Sequence, residues 1–210
     1  MENNQSKIQF IVQKLKDRYP IVKTQLDHQT PFQLLVATIL SAQCTDRQVN
    51  QVTKSLFQKY PDPASLAEAP LKKIKKIIYS TGFYNNKAKN IKACASQIVT
   101  NHNGSVPDDI DTLTTLSGVG RKTANVLLSV AFGHRTIVVD THVLRISNRL
   151  GLVESKDPVK VEFDLMKLFP EEAWNDISLQ MIYFGREICD ARNPQCQMCP
   201  LFNVCRTRRN

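Results

Sequence analysis

No stretch of this 210-residue chain approaches the ~20 consecutive apolar residues that a membrane-spanning helix needs. The opening Met1-Glu2-Asn3-Asn4-Gln5 is polar and lacks the apolar run of a secretory signal. The chain is therefore expected to be soluble and cytoplasmic, with no membrane partner. Repeats and low-complexity tracts are also missing, so the sequence reads neither as a solenoid nor as a disordered tail. Strand-like sequence is confined to Thr136-Ile137-Val138-Val139, which has no partner run and is read as an extended linker. Acidic residues are in deficit: 19 Asp and Glu stand against 28 Lys and Arg, a net charge of +9. That balance suits a polyanionic partner, although charge alone does not select one. With 42% hydrophobic residues, the chain has enough apolar surface for one sizeable core or two small ones.

What is present is helix. Ile8, Ile11, Val12, Leu15 and Tyr19 share one helical face. Thr30-Pro31 is an N-cap followed by a first-turn proline, and the run from Phe32 to Leu40 is apolar almost all round, as in a buried helix. Thr45 and Gln48 have the spacing of a capping box. Leu71, Ile74 and Ile78 mark a further helix with a lysine-rich exposed side. Ala88, Ile91, Ala95 and Ile98 mark a longer one that stops near Asn103-Gly104. Asp111 to Leu116, Lys122 to Phe132, the segment after Asp140, the segment after Asp157-Pro158, and Ala173 to Ile188 complete the set. The expected fold class is all-α.

In a reducing compartment the six cysteines are not expected to pair as disulfides. Cys44 and Cys94 sit alone in helical patterns and read as small apolar core residues. The other four follow the spacing Cys189-x6-Cys196-x2-Cys199-x5-Cys205, with turn residues Asn193-Pro194 and Pro200 between them. Four thiolates that close in sequence can converge on one centre. Zinc and iron–sulfur clusters both accept four cysteines. A single CxxC flanked by two lone cysteines leans toward a [4Fe–4S] cluster and leaves zinc open.

Between two helical patterns lies Leu116-Ser117-Gly118-Val119-Gly120-Arg121-Lys122. Two glycines around an apolar residue permit a tight hairpin whose backbone N–H groups point outward at the start of a helix, where a DNA phosphate can bind without sequence preference. A plain interhelical turn is the alternative. Lys122 follows at once. An ordinary lysine is neutral in only about one molecule in 2,500 at pH 7. Arg121 beside it and the positive end of the helix both favour the neutral, nucleophilic amine. A phosphate-binding lysine fits the same position. Asp140 is fully explained as an N-cap, and the same carboxylate could also stabilise positive charge on a sugar.

Taken together, LLVATILSAQCTD (34–46), TGFYNNKAKNI (81–91), LSGVGRKTANVLL (116–128), VVDTHVLRISNRLG (138–151) and the four spaced cysteines resemble the endonuclease III family of helix–hairpin–helix DNA glycosylases. The resemblance covers most of the chain from residue 30 onward, in family order. It implies a two-lobed fold: a six-helix barrel over 23–132, with the helix–hairpin–helix at about 111–130, and a discontinuous lobe of 1–22 plus 133–210 holding a [4Fe–4S] cluster. It implies a bifunctional glycosylase and abasic-site lyase acting on damaged double-stranded DNA, as a monomer, on oxidised pyrimidines and abasic sites. Lys122 becomes the nucleophile at C1′, with Asp140 facing it across a cleft. Gln43 becomes the residue that fills the gap left by a flipped base, and Phe83 an apolar wedge. Gly118, Gly120, Arg121 and Arg192 become backbone contacts to DNA, and Cys189, Cys196, Cys199 and Cys205 the cluster ligands. His142 is given no catalytic role, and Trp174 reads as core. The cluster has no evident part in hydrolysis or elimination, so its expected task is to hold the C-terminal loop.

Some positions depart from the family pattern. Ser117 stands where proline is usual and Cys44 where alanine is common. Asn193 and Gln195 occupy places often basic in relatives, so the cluster loop brings only Arg192 to a phosphate. A related adenine glycosylase family lacks the lysine and uses an acid in its first barrel motif, where this chain has Ser41-Ala42-Gln43. The remaining alternative is a non-catalytic DNA-binding module whose cysteines hold zinc.

Overall fold

The computed structural model describes residues 2–208, with side chains from residue 5 onward. Among these residues there are eleven α-helices and no strand. The chain divides into two compact units, one spanning Thr24–His134 and the other joining the segment up to Lys23 with Arg135 onward.

The first unit contains α2 (Pro31–Leu40), α3 (Asp46–Lys59), α4 (Pro63–Glu68), α5 (Leu71–Ile78), α6 (Tyr84–Asn101), α7 (Ile110–Thr115) and α8 (Arg121–Phe132). Its starts are written in the sequence. Thr30 Oγ1 accepts from Gln33 N at 3.2 Å, and Pro31 opens α2 at a position that needs no donor. All the residues of α2 after Pro31 are buried, as its all-round apolar pattern requires. Thr45 Oγ1 accepts from Gln48 N at 3.3 Å to start α3. The reciprocal half of that capping box does not form. Gln48 Nε2 instead donates to Ser80 Oγ at 2.7 Å, tying α3 to the 3₁₀ turn Tyr79–Thr81. The complete box belongs to α4, a short helix not singled out by the apolar periodicity. There Ser65 N donates to Asp62 Oδ1 at 2.8 Å and Asp62 N to Ser65 Oγ at 3.4 Å. The core gathers Leu34, Leu35, Leu56, Ile74, Ile78, Ile91, Cys94, Ile98 and Leu127.

The second unit contains α1 (Glu2–Arg18), α9 (Thr141–Leu150), α10 (Pro158–Leu168) and α11 (Trp174–Glu187). Ile11 and Leu15 of α1 meet Val143 and Ile146 of α9 and Met181 and Phe184 of α11 in its core. Gly185 lets α9 and α11 approach: a Cβ there would stand 2.7 Å from His142 Nδ1. Thr136–Val139 forms no regular element and pairs with no strand. Two of its amides are taken by side chains, Thr136 N by Asn175 Oδ1 at 2.9 Å and Val138 N by Ser178 Oγ at 3.0 Å. A backbone satisfied in this way needs no sheet. Trp174 is half-buried against this core, its Nε1 donating to Phe169 O at 3.0 Å.

Candidate functional site

The glycine hairpin joins α7 to α8. Leu116 and Val119 point inward and are buried, while Gly118 and Gly120 face solvent. Val119 N donates to Leu116 O at 3.1 Å, so this amide closes the hairpin and is not offered to a ligand. The outward amides expected from the sequence are therefore not those of the whole loop. Gly120 is the N-cap of α8 and supplies no side-chain cap; the first turn of α8 also carries no acid. Helices α2, α3, α4, α7, α9 and α10 are all capped by a side chain. The first turn of α8 thus has the positive end of the helix dipole with no capping side chain from its own N-cap. Arg121 is half-buried at the first position of α8, and Lys122 follows at the second, exposed.

Helix α6 positions this region from below. Phe83, Lys87, Asn90, Cys94 and Gln97 recur at helical spacing along one side of it. Gln97 Oε1 accepts from Ser117 N at 2.8 Å, and its Nε2 donates to Thr115 O at 3.4 Å, which fastens the hairpin's entry. Asn90 packs under Gly118. Lys87 is 5% exposed, and its ammonium donates to Leu40 O and Thr81 O, each at 2.8 Å. Lys92 clips the end of α4 by donating to the carbonyls of Ala67 and Ala69.

Gln43 and Phe83 share an unusual backbone. Both lie in the left-handed region, at φ 53° and 48°, where non-glycine residues are uncommon. Gln43 is exposed in the turn between α2 and α3. Phe83 is 65% exposed at the start of α6 and is not part of the core. Beside it Tyr79 and Tyr84 pack with ring centroids 4.7 Å apart.

In the second unit Asp140 is the N-cap of α9. One carboxylate oxygen, Oδ1, accepts from both His142 N at 2.8 Å and Val143 N at 2.9 Å. The other oxygen takes no part in the cap. His142 packs against Gly185, and its Nδ1 lies 3.2 Å from the Arg145 guanidinium. Burial holds the His142 imidazole below its ordinary value; Asp140 opposes that shift, and the Arg145 and Arg186 charges add to it. The packing against Gly185 and the lowered value both favour the uncharged ring.

The last segment wraps the four cysteines round one cavity of about 240 Å³, which Arg149, Ile188 and Phe202 also line. Burial pushes the Cys199 thiol up to about 11, and the neighbouring Cys189, Cys205 and Cys196 push it the same way. Two arginines of α9 hold the loop. Arg145 donates to Cys189 O at 2.9 Å and to Gly185 O at 3.1 Å. Arg149 donates to Asp190 O at 2.7 Å, to Ala191 O at 2.8 Å and to Cys189 Sγ at 3.3 Å. The Arg149 carbonyl accepts from Arg206 N at 3.0 Å. Asp190 Oδ1 accepts from Arg192 N at 2.8 Å and Asn193 N at 3.1 Å, turning the chain and leaving the Arg192 side chain exposed.

Residues 36–171 match the HhH-GPD superfamily of base excision DNA repair proteins, and residues 189–205 match the iron–sulfur binding domain of endonuclease III. The chain is 53% identical to an endonuclease III of Synechocystis over 91% of this chain and 88% of that protein. It belongs to the endonuclease III family. The endonuclease III of Bacillus subtilis is 48% identical over 97% of this chain and 93% of its own length. A solved structure of a trapped endonuclease III–DNA covalent intermediate superposes with a TM-score of 0.93 at 46% identity, covering 97% of this chain and 96% of that one.

The endonuclease III family assignment makes the cofactor a [4Fe–4S] cluster, and the donor set fits it. Among the described residues no three His, Cys, Asp or Glu side chains converge closely enough to hold a single metal ion. Yet four cysteines face one cavity. The two observations agree if the thiols surround a space rather than a point, which suits a cubane better than zinc. Sequence reasoning named these cysteines and missed their clamps. Arg145 and Arg149 lie in the quoted VVDTHVLRISNRLG stretch, but their partners are 40 to 44 residues away. Lys87, Asn90 and Gln97 were missed in the same way.

Proposed function

We propose that this chain is a bifunctional DNA N-glycosylase and abasic-site lyase of base excision repair, acting on oxidised pyrimidines in duplex DNA. The observation that carries this reading is Lys122: an exposed amine at the second position of an uncapped helix, behind a glycine hairpin, in an endonuclease III-family chain.

The damaged nucleotide leaves the stack, because its C1′ cannot be reached inside the duplex. Lys122 Nζ attacks C1′, the glycosidic bond breaks, and the base departs with the bonding pair and gains a proton. Asp140 keeps Oδ1 on the α9 amides, so its position is fixed, and offers its second oxygen to the positive charge growing on the sugar. The lysine nitrogen loses its proton and the C1′–O4′ bond opens, O4′ leaving with the bonding pair and gaining a proton; the Schiff base so formed makes the C2′ hydrogen acidic. Its loss expels the 3′ phosphate oxygen and cuts the strand, and hydrolysis of the imine frees Lys122. Bound DNA supplies the water exclusion that the exposed lysine lacks in the free protein.

Gln43 fills the place of the flipped base, and Phe83 enters between bases as an apolar wedge. Gly120 supports the phosphate reading. A Cβ there would meet nothing within 4 Å in the free protein, so its backbone stands open to a ligand. The α8 amides with Gly118, Gly120, Arg121 and the exposed Arg192 bind phosphate oxygens. Cys189, Cys196, Cys199 and Cys205 hold the cluster. When bound, it cross-links the C-terminal loop through four iron–sulfur bonds. No helix among the described residues is long and apolar enough to cross a membrane. A monomeric protein of the cytoplasm, gathered on the nucleoid by its DNA affinity, accords with the +9 charge.

The test is a duplex carrying one oxidised thymine. Release of the free base together with a nick 3′ to the lesion supports both activities. Intact DNA with no base released contradicts them.

A further inference from the structure

A buried ammonium with no carboxylate partner costs stability, and an apolar side chain would fill the same space without that cost. Lys87 is such a group. It is 5% exposed, and its two acceptors are the carbonyls of Leu40 and Thr81, 2.8 Å away in each case. Burial pushes the ammonium below its ordinary value, with only the nearby Cys44 opposing.

The two carbonyls close different segments. Leu40 is the last residue of α2, and the chain then turns through Gln43. Thr81 is the last residue of the 3₁₀ turn, and the chain then turns through Gly82 and Phe83. Each turn puts a non-glycine residue in the left-handed region, which persists only where surrounding contacts hold it. The Phe83 turn is braced from outside by Gln48 on Ser80 and by the Tyr79–Tyr84 pair. Lys87 alone among these side chains bonds to both segments.

We propose that Lys87 is a positioning residue that fixes the Gln43 turn and the Phe83 turn relative to each other, so that both side chains enter the DNA as one unit. The proposal rests on the reading of Gln43 and Phe83 as DNA-inserting residues. Lys87 touches no substrate. It acts by removing one turn's freedom to shift against the other, a freedom that would otherwise have to be lost on DNA binding.

The variant to make is Lys87→Met, which keeps the buried stem and loses both bonds. Three readouts are compared with the unaltered protein: the fluorescence rise of 2-aminopurine placed beside an oxidised thymine, single-turnover excision of that base, and cleavage of a preformed abasic site. Extrusion costs least where no base pair must be broken. The expected result is a diminished fluorescence rise and excision slowed about tenfold or more, with abasic-site cleavage much less affected. A protein that was merely less folded would lose both rates together and keep the fluorescence rise per active molecule. That result overturns the proposal, as does a variant with all three readouts unchanged. Should Lys87→Met not fold, Lys87→Gln, whose shorter amide does not reach both carbonyls, is expected to show the same selective loss, and an equal loss on both substrates again overturns it. Gln43→Ala and Phe83→Ala serve as controls. If neither alters fluorescence or excision, the inserting roles themselves fail and the proposal falls with its premise. If they respond and the Lys87 variants do not, only the role of Lys87 is overturned.

Discussion

Asn90 lies directly beneath Gly118, so close that a Cβ at 118 would stand 2.8 Å from the Asn90 Cβ and 3.0 Å from its Nδ2. Gly118 also has φ +80°, a conformation in which L side chains are strained. Gly120 has neither constraint, with φ −95° and open space where its Cβ would be. The two glycines of one hairpin should therefore fail differently. Gly118→Ala is expected to destabilise the fold by about 1–3 kcal/mol. Gly120→Ala is expected to leave stability within about 0.5 kcal/mol and to weaken binding to duplex DNA, because the new methyl stands where a phosphate would approach. Denaturant unfolding and filter binding separate the two. Equal loss of stability in both variants would contradict this account.

Arg149 fixes the start of the cysteine loop through Asp190 O, Ala191 O and Cys189 Sγ. Its planar fork reaches several acceptors at once, which lysine cannot do. Arg149→Leu and Arg149→Lys should both loosen the loop, by about 2 kcal/mol for the lost charge-assisted bonds. The measure is the iron content and visible absorbance of purified protein held with a chelator. Faster cluster loss in both variants is expected, and a cluster lifetime equal to that of the parent would contradict the clamp.

His142 gives the fold a pH dependence of known sign. Its folded-state pKa lies below the ordinary imidazole value of 6.5, mainly through burial. Protonation is therefore easier in the unfolded chain. The stability that the neutral ring confers is complete above about pH 6.5 and falls away as the pH drops toward the folded value. Melts taken between about pH 7.5 and about pH 5 should show a decline that His142→Gln reduces. An unchanged slope in the variant would assign the decline to other groups.

The elements whose controls are local could be read from the sequence. Thr30-Pro31, Asp140 and Asp157 all cap the helices they were expected to cap, because an N-cap bonds within three residues of itself. Gly133 and Gly151 end α8 and α9 in the left-handed conformation that glycine tolerates. Local pattern failed where a side chain had a distant alternative. Gln48 abandons its capping box for Ser80, 32 residues on. Lys87 was visible in TGFYNNKAKNI as one lysine among several, and nothing in that string shows that it reaches Leu40, 47 residues away. Among the site residues, Lys122 at the start of α8 and the four cysteines round one cavity follow from motif and spacing. The left-handed backbone of Gln43 and Phe83 does not, since neither residue type announces a positive φ.

The central claim is that Lys122 forms a covalent imine with the sugar of the damaged nucleotide. Borohydride reduction during turnover on a duplex with one oxidised thymine would freeze that imine as a stable protein–DNA adduct. The account predicts a trapped band with the unaltered protein and none with Lys122→Ala, which should still bind the duplex and keep its cluster. Base release without any trapped band from the unaltered protein would contradict it, leaving a monofunctional glycosylase in which Lys122 serves another purpose.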